Sequence, residues 1–211
     1  MTELVFILDR SGSMSGLERD TIGGFNSMLK KQKKEDGAVL VSTVLFNNKS
    51  TVIHDRLPLE KVPHMTEDDY FTCGCTALLD AVGDAIHHIG TIHKYARKED
   101  VPENTLFVIN TDGLENASQR YSYEQVQKMI THQQEKYGWE FLFLGANMDA
   151  AAEAKKIGIR EDHAADYFCD ILGVFKNYES INDAVSRVRS SQPLTSDWKQ
   201  AIDEDFRKRR D

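Results

Sequence analysis

The sequence LVFILDRSGS at residues 4–13 combines an unbroken apolar run with a polar continuation. The five apolar residues predict a β-strand that is covered on both faces, as the strands of parallel sheets are. Asp9 ends the run, and Ser11 and Ser13 follow it at alternate positions. Because side chains alternate between the two sides of an extended segment, all three point the same way. This stretch therefore predicts a buried first strand that presents three oxygen-bearing side chains at its carboxyl end.

Strand-like runs alternate with stretches of helical periodicity along the rest of the chain. This alternation predicts an α/β fold, in which a doubly wound, mostly parallel central sheet has helices on both faces. The second and third runs are close enough to pair as a hairpin, which gives the sheet one antiparallel edge strand. The strand-like runs lie at residues 4–8, 39–46, 51–55, 106–109, 139–144 and 165–168. The helix-like stretches begin near residues 15, 76, 122, 149 and 181.

Two pairs of residues have the spacing of a capping box, in which two side chains satisfy backbone donors at a helix start. Ser15 and Glu18 form the first pair, and Ser122 and Gln125 form the second. The spacing predicts that Ser15 and Ser122 each cap the helix that follows.

The composition is typical of a soluble globular protein. The chain has 211 residues, of which 40% are hydrophobic and 28% are charged. That length corresponds to about one domain. There are 34 acidic and 26 basic residues, which give a formal net charge of -8. Affinity for phosphates comes from concentrated Lys and Arg, so this balance argues against nucleic acid as a partner.

The sequence also indicates where the protein works. No run approaches the ~20 apolar residues that a membrane helix needs, and residues 1–3 lack the basic start of a signal peptide. The three cysteines are an odd number, which argues against a disulfide framework and fits a reducing compartment. We therefore expect a cytoplasmic protein that has no membrane partner.

The chain divides into one domain and a short tail. Residues 1–190 carry the alternating strands and helices and are predicted to form the domain. Residues 191–211 are polar, with Trp198, Ile202 and Phe206 at helical spacing. This segment is predicted to be a polar C-terminal helical tail.

Two of the apolar runs are followed by aspartates. Asp9 follows the first run, and Asp112 follows residues 106–109 after Asn110 and Thr111. In open parallel sheets the functional crevice lies outside the carboxyl ends of the strands, so the two aspartates can face one pocket. Two carboxylates that close repel each other unless a cation or a shared proton lies between them. Hard oxygen ligands of this kind suit Mg²⁺.

These residues resemble the metal-ion-dependent adhesion site of the von Willebrand factor type A (vWA) domain family. The motifs are Asp-x-Ser-x-Ser after the first strand, a threonine within Cys-Gly-Cys-Thr-Ala-Leu, and Thr-Asp-Gly after a buried strand. The five matching residues are Asp9, Ser11, Ser13, Thr76 and Asp112. By the order of its elements, the resemblance spans residues 2–190 and is closest to the intracellular bacterial type of member.

The resemblance implies how the site works. In the family, the two serines and the threonine bind the cation directly or through water, and the aspartates act largely through water. The open coordination position accepts an acidic side chain of a partner protein. The family usually has glycine before the threonine, where this chain has Cys75. If that backbone needs a positive φ, the cysteine costs energy that glycine would not.

Other polar residues near these motifs have simpler interpretations. Asp80, one turn past Thr76, is interpreted as a helix-surface or supporting group, and Glu115 as an exposed loop acid. Cys73 and Cys75 have no second cysteine pair or histidine motif nearby, which argues against a soft-metal site. Cys169 is interpreted as a small buried hydrophobe.

The resemblance favours a non-enzymatic, Mg²⁺-dependent protein-binding module, with Mn²⁺ or Ca²⁺ as alternative cations. Its expected partner is a protein ligand that presents Asp or Glu. One alternative is a metal-dependent phosphohydrolase, which also has Asp after its first strand. Haloacid-dehalogenase-type enzymes need a second acid two residues later, and that position is Ser11 here. Another alternative is a regulatory subunit of a separate ATPase.

Overall fold

A computed structural model describes residues 1–210 as a six-stranded sheet with helices on both faces. The strands are β1 (Thr2–Asp9), β2 (Val39–Phe46), β3 (Ser50–Pro58), β4 (Asn104–Thr111), β5 (Glu140–Ala146) and β6 (Ala164–Tyr167). The helices are α1 (Glu18–Gln32), α2 (Leu78–Tyr95), α3 (Tyr123–Tyr137), α4 (Ala150–Lys156), α5 (Ile171–Arg189) and α6 (Gln200–Arg210). The α/β class predicted from the alternating pattern is confirmed.

The strands are ordered β3-β2-β1-β4-β5-β6, and all neighbours pair in parallel except β2 and β3. The chain therefore builds one half of the sheet outward from β1 and then returns to build the other half from β4. This confirms the doubly wound sheet with one antiparallel edge strand. In such sheets, ligands bind outside the carboxyl ends of the strands where the winding direction changes, which here is between β1 and β4.

Strand β1 is buried on both faces, as its unbroken apolar run predicts. Leu4, Phe6 and Leu8 belong to the core on one side of the sheet, and Val5 and Ile7 belong to the core on the other side. Each of the five is at most 1% exposed. Burial of apolar surface contributes about 25 cal/mol per Å², and β1 gains this contribution on both of its faces. The burial of the strand fixes the position of Asp9 at its end.

One of the two predicted capping boxes forms. The Ser122 side chain accepts a hydrogen bond from the Gln125 backbone, and the Gln125 side chain accepts one from the Ser122 backbone. The prediction for Ser15 is wrong, because α1 begins at Glu18 after Leu17, which makes no side-chain cap. The Ser15 hydroxyl instead lies 3.0 Å from the Thr72 hydroxyl.

The segment beyond residue 190 packs onto the domain. Trp198 is 2% exposed and Ile202 is 1% exposed, and both belong to the core that contains Leu4, Phe6 and Leu8. The Trp198 indole also donates a hydrogen bond to the Asp162 carbonyl. The division at residue 190 stays a prediction, although these contacts join the last helix to the sheet.

Within residues 1–210, no helix combines the length and the apolar character that crossing a bilayer requires.

Candidate metal centre

The two aspartates lie at neighbouring strand ends. Strands β1 and β4 pair in parallel with Leu8 opposite Asn110, so Asp9 and Thr111 end adjacent strands at the same edge of the sheet. The Thr111 hydroxyl donates a hydrogen bond of 2.6 Å to Asp9 Oδ2. Asp112, the next residue, follows at the point where the winding direction changes.

The loop after β1 brings its two serines to the second aspartate. Asp9 Oδ1 accepts a hydrogen bond of 2.7 Å from the Ser11 backbone N–H, which turns the chain sharply after the strand. A short 3₁₀ turn follows and places Ser13 Oγ 3.0 Å from Ser11 Oγ. The Ser13 hydroxyl then donates a hydrogen bond of 2.6 Å to Asp112 Oδ1. These contacts gather four of the five predicted site residues into one cluster.

Thr76 is brought to the same place by the loop before α2. Its side chain is buried. A Cβ atom built on Gly113 would lie 2.7 Å from Thr76 Oγ1 and 3.5 Å from Ser13 Oγ, so both hydroxyls lie beside this glycine. The Thr76 backbone N–H donates to Asn116 Oδ1 at 2.9 Å, and the Thr76 carbonyl accepts from the Asn116 N–H at 3.1 Å. The fifth residue therefore faces the cluster, held by the loop that carries Asp112.

The backbone before Thr76 meets its conformational requirement without strain at Cys75. Gly74 adopts the positive φ of +78°, whereas Cys75 is not among the residues with positive φ. A Cβ on Gly74 would also lie 2.0 Å from Asn48 Oδ1, and that same oxygen accepts a hydrogen bond from the Cys75 N–H. The glycine that this loop needs is thus supplied one position earlier than the family pattern.

The two carboxylates are buried without a basic partner. Asp9 is 2% exposed and Asp112 is 8% exposed, and no basic side chain within residues 1–210 pairs with either carboxylate. Burial raises the pKa of Asp9 to about 6, although hydrogen bonds from Thr111 and Ser11 oppose the shift. Burial likewise raises the pKa of Asp112 against the Ser13 hydrogen bond. A bound cation would offset this cost, since opposite charge favours the ionised form.

The donor set restricts the cation that would fit. No cluster of three His, Cys, Asp or Glu side chains suited to a metal occurs in the part of the chain that the structure describes. The candidate centre instead offers two carboxylates and three hydroxyls. Oxygen ligands of this kind suit Mg²⁺, Mn²⁺ or Ca²⁺, whereas thiolate or imidazole ligands would favour softer metals. The residues present therefore fit a hard divalent cation that keeps several waters.

Several supporting residues have roles that the sequence patterns did not predict. The Tyr70 hydroxyl donates a hydrogen bond of 2.5 Å to the Asp9 carbonyl. The Cys169 thiol, 3.5 Å from Asp112 Oδ2, donates to that carboxylate, and burial and the Asp112 charge raise the pKa of the thiol to about 12. Cys169 is half-buried and packs against the apolar core, as its interpretation as a small hydrophobe predicted, but its contact with Asp112 was not predicted.

Glu115 is not a free loop acid. Its carboxylate accepts hydrogen bonds from the backbone N–H groups of Leu79, Ala117 and Ser118 at 2.9, 2.9 and 2.7 Å. It therefore holds the loop after Asp112 against the first turn of α2. The Asp80 carboxylate accepts hydrogen bonds from the backbone N–H groups of residues 119–121, which fits the second of its two interpretations, a supporting group.

The sequence comparisons give no match, either to a protein-family model or to a curated protein. Comparison with solved structures does give matches. A von Willebrand factor type A protein from Catenulispora acidiphila is 12% identical over 87% of this chain and 42% of that chain, with a TM-score of 0.58. Proximal thread matrix protein 1 from the mussel byssus, with a zinc-occupied MIDAS motif, is 15% identical over 86% of this chain and 44% of that one, with a TM-score of 0.57.

Manganese-loaded TRAP protein from Plasmodium vivax is also similar, at 14% identity over 84% of this chain and 73% of that chain, with a TM-score of 0.56. The chain spans less than half of the bacterial and mussel chains. At these identities the likeness concerns architecture, and it agrees with the strand order and the helices on both faces. The chain therefore has the Rossmann-like α/β fold of von Willebrand factor type A domains.

Proposed function

We propose that this protein is a non-enzymatic, metal-dependent protein-binding module. Asp9, Ser11, Ser13, Thr76 and Asp112 would hold Mg²⁺, and an Asp or Glu side chain of the partner would complete its coordination. The observation that carries the proposal is the pair of buried carboxylates, Asp9 and Asp112, gathered by serine hydroxyls and left without a basic partner.

Support for a divalent cation comes also from the solved structures of this fold. One is described with a zinc-occupied MIDAS motif and another as manganese-loaded. For this chain the hard oxygen donors favour Mg²⁺, with Mn²⁺ or Ca²⁺ as alternatives. The residues bind and orient the cation, while the cation supplies an acceptor for a carboxylate oxygen.

The surroundings of the centre support binding rather than catalysis. Ser11 occupies the position where a haloacid-dehalogenase-type enzyme has its general acid, and its hydroxyl lies against Ser13. A serine hydroxyl does not replace a carboxylic acid in protonating a leaving group. The formal net charge of -8 supports a protein ligand over nucleic acid, and three free cysteines support a reducing, cytoplasmic setting.

The proposal is tested by capturing partners from a native lysate with the wild-type protein, in Mg²⁺ and in EDTA. Asp112→Asn serves as the site variant and Asp183→Asn, at an exposed position on α5, as its matched control. Proteins retained in Mg²⁺ by the wild type and the control, but lost with EDTA or Asp112→Asn, are the expected partners. Changing each exposed acid of such a partner to its amide should identify one on which binding depends.

Retention that is unaffected by EDTA would contradict the metal bridge. Mg²⁺-dependent turnover of a phosphate ester, abolished by Asp112→Asn, would contradict the non-enzymatic function.

A further inference from the structure

A cavity of about 630 Å³ lies between α2 and α3, at the edge of the sheet opposite Asp9. Its apolar lining includes the half-buried Met129 and small exposed parts of Trp139 and Ile86, which are 4% and 1% exposed. Val101 and Pro102 line it just before β4. Its volume falls within the ~300–1,000 Å³ of small-molecule sites. None of the residues that line it belongs to the candidate metal centre.

The lining of this cavity has the opposite charge to the rest of the protein. The chain has 34 acidic and 26 basic residues, yet neither Asp nor Glu lines the cavity. The basic side chains there are Lys94, Lys128, His87, His93 and His132, and Tyr137 is the other titratable group. A small anion would therefore meet only neutral or positively charged side chains.

The two lysines differ in their availability. Lys128 Nζ lies 2.6 Å from Glu124 Oε1, an exposed pair that contributes little to stability. Lys94 is exposed and forms no ion pair within residues 1–210; its Nζ lies 5.3 Å from the centre of the Tyr95 ring. Lys94 is thus the cation whose charge a ligand can engage without displacing a partner.

The aromatic part of the lining is held in place from behind. The Trp139 indole stacks on Phe107, with ring centres 5.2 Å apart, and lies nearly perpendicular to the His93 ring, with centres 5.3 Å apart. His93 Nε2 lies 2.5 Å from Glu3 Oε2, and the Arg56 guanidinium compensates the same buried carboxylate at 2.6 Å. The Glu3 charge is therefore already paired, and the indole is fixed before any ligand arrives, which lowers the entropic cost of binding.

We infer that this cavity is a binding site for a small organic anion, with an apolar ring against Trp139 and an acidic group directed to Lys94. The ring would gain from burial of apolar surface and from aromatic contact. The charge would favour an anion over a neutral molecule of the same shape. This site is separate from the proposed metal centre, and neither depends on the other.

The test uses two fluorescent probes of similar shape, titrated into the whole protein in EDTA. The anion is 8-anilinonaphthalene-1-sulfonate, and its neutral counterpart is N-phenyl-1-naphthylamine. Gly90→Leu should fill the cavity, since a Cβ there lies 3.2 Å from Gln133 Nε2 and 3.9 Å from Trp139 Cη2. Gly23→Leu is the matched control, because that helical glycine has no atom within 4 Å of the added Cβ.

The expected result is one saturable site for the anion in the wild type and in Gly23→Leu, weakened about tenfold or more by Gly90→Leu. Lys94→Gln should weaken the anion severalfold and leave the neutral probe unchanged. If Gly90→Leu does not fold, as judged by circular dichroism, Thr91→Trp on the rim of the same cavity replaces it. Equal anion binding by the wild type and the cavity-filling variant would overturn the site, and equal affinity for both probes would overturn its preference for anions.

Discussion

The Thr111 hydroxyl donates a hydrogen bond of 2.6 Å to Asp9 Oδ2 and so joins the ends of two paired strands. The other oxygen of Asp9 accepts from the Ser11 N–H. Both carboxylate oxygens are therefore oriented by the protein itself, one by a hydroxyl at the end of β4 and the other by the loop that follows β1. This arrangement orients the carboxylate before a cation is present, so little reorganisation accompanies binding.

Mg²⁺ should raise the melting temperature of the wild type and leave that of Asp112→Asn unchanged. A ligand that binds only the folded state stabilises it by about 2.7 kcal/mol at a hundredfold excess over Kd. Thermal unfolding at increasing Mg²⁺ measures the effect, and Asp183→Asn should respond as the wild type does. In EDTA, Asp112→Asn should be at least as stable as the wild type, because it removes a buried charge that lacks a basic partner. Equal Mg²⁺ responses in all three proteins would refute the site.

Tyr70→Phe should destabilise the protein by about 1–3 kcal/mol, because it leaves a buried carbonyl without its hydrogen bond. Tyr70 is 1% exposed, and its hydroxyl donates to the Asp9 carbonyl. The ring is retained, so the packing is preserved. Urea unfolding measures the loss, with Tyr95→Phe as a control at a position that is 76% exposed. We also expect weaker Mg²⁺ binding, since Asp9 loses one of its restraints. An unchanged midpoint of urea unfolding would show that Tyr70 only fills space.

The positions of the strands along the chain, and the sheet edge at which Asp9 and Asp112 lie, could be predicted from the sequence because each depends on a local signal. Apolar runs mark the buried strands, and residues that end such runs lie at one edge of a parallel sheet. The supporting contacts could not be predicted in this way. The Tyr70 hydroxyl reaches Asp9 across 61 positions of sequence, and the Glu115 carboxylate reaches Leu79 across 36. No local pattern encodes such contacts.

Helix α5 shows how packing hides a helical pattern. The sequence predicts it near residues 181–189, whereas it begins at Ile171. Ile171 is 67% exposed, while the polar Asn177 is fully buried, so the hydrophobic periodicity of the first half is interrupted. Asn177 is buried because its amide donates a hydrogen bond of 2.9 Å to Asn110 Oδ1 in the neighbouring strand. The N–H side of this amide is thereby paired, whereas its Oδ1 is buried and accepts no hydrogen bond within residues 1–210.

Asp80→Asn should destabilise the protein near neutral pH, by about 1–3 kcal/mol. The Asp80 carboxylate accepts three backbone hydrogen bonds, from Gln119, Arg120 and Tyr121, at 3.0, 2.9 and 3.0 Å. Burial opposes the ionised form, but these bonds outweigh it and lower the pKa of Asp80. In Asp80→Asn, an amide NH₂ group replaces one of the oxygens that accept these hydrogen bonds, and it cannot accept from a backbone N–H. The loop after Asp112 should therefore loosen.

The pH dependence of this effect has a definite sign. Because the pKa of Asp80 is lower in the folded protein than the value of about 3.9 in an unfolded chain, its contribution is fully present above that value. It is lost as the pH falls through the folded-state pKa. The difference in unfolding free energy between the wild type and Asp80→Asn should therefore be constant above about pH 5 and shrink below about pH 4. Urea titrations across this range measure it, with Asp183→Asn as control; a difference that grows on acidification would contradict the assignment.

The two adjacent glycines of α1 should respond in opposite directions to alanine. Glycine inside a helix costs about 1 kcal/mol relative to alanine, so Gly23→Ala, with no atom within 4 Å of the added Cβ, should stabilise the protein by up to that amount. At Gly24 the added Cβ would lie 2.3 Å from Cδ2 of Tyr178, a ring buried in α5. Overpacking of this kind typically costs about 1–3 kcal/mol, and Gly24→Ala should therefore destabilise. Urea unfolding of both variants measures these changes in stability. Combined with Tyr178→Leu, Gly24→Ala should cost less stability than it does in the wild type, because the ring that obstructs the methyl group is gone. Two variants that shift the midpoint in the same direction would show that α1 and α5 do not pack this closely in solution.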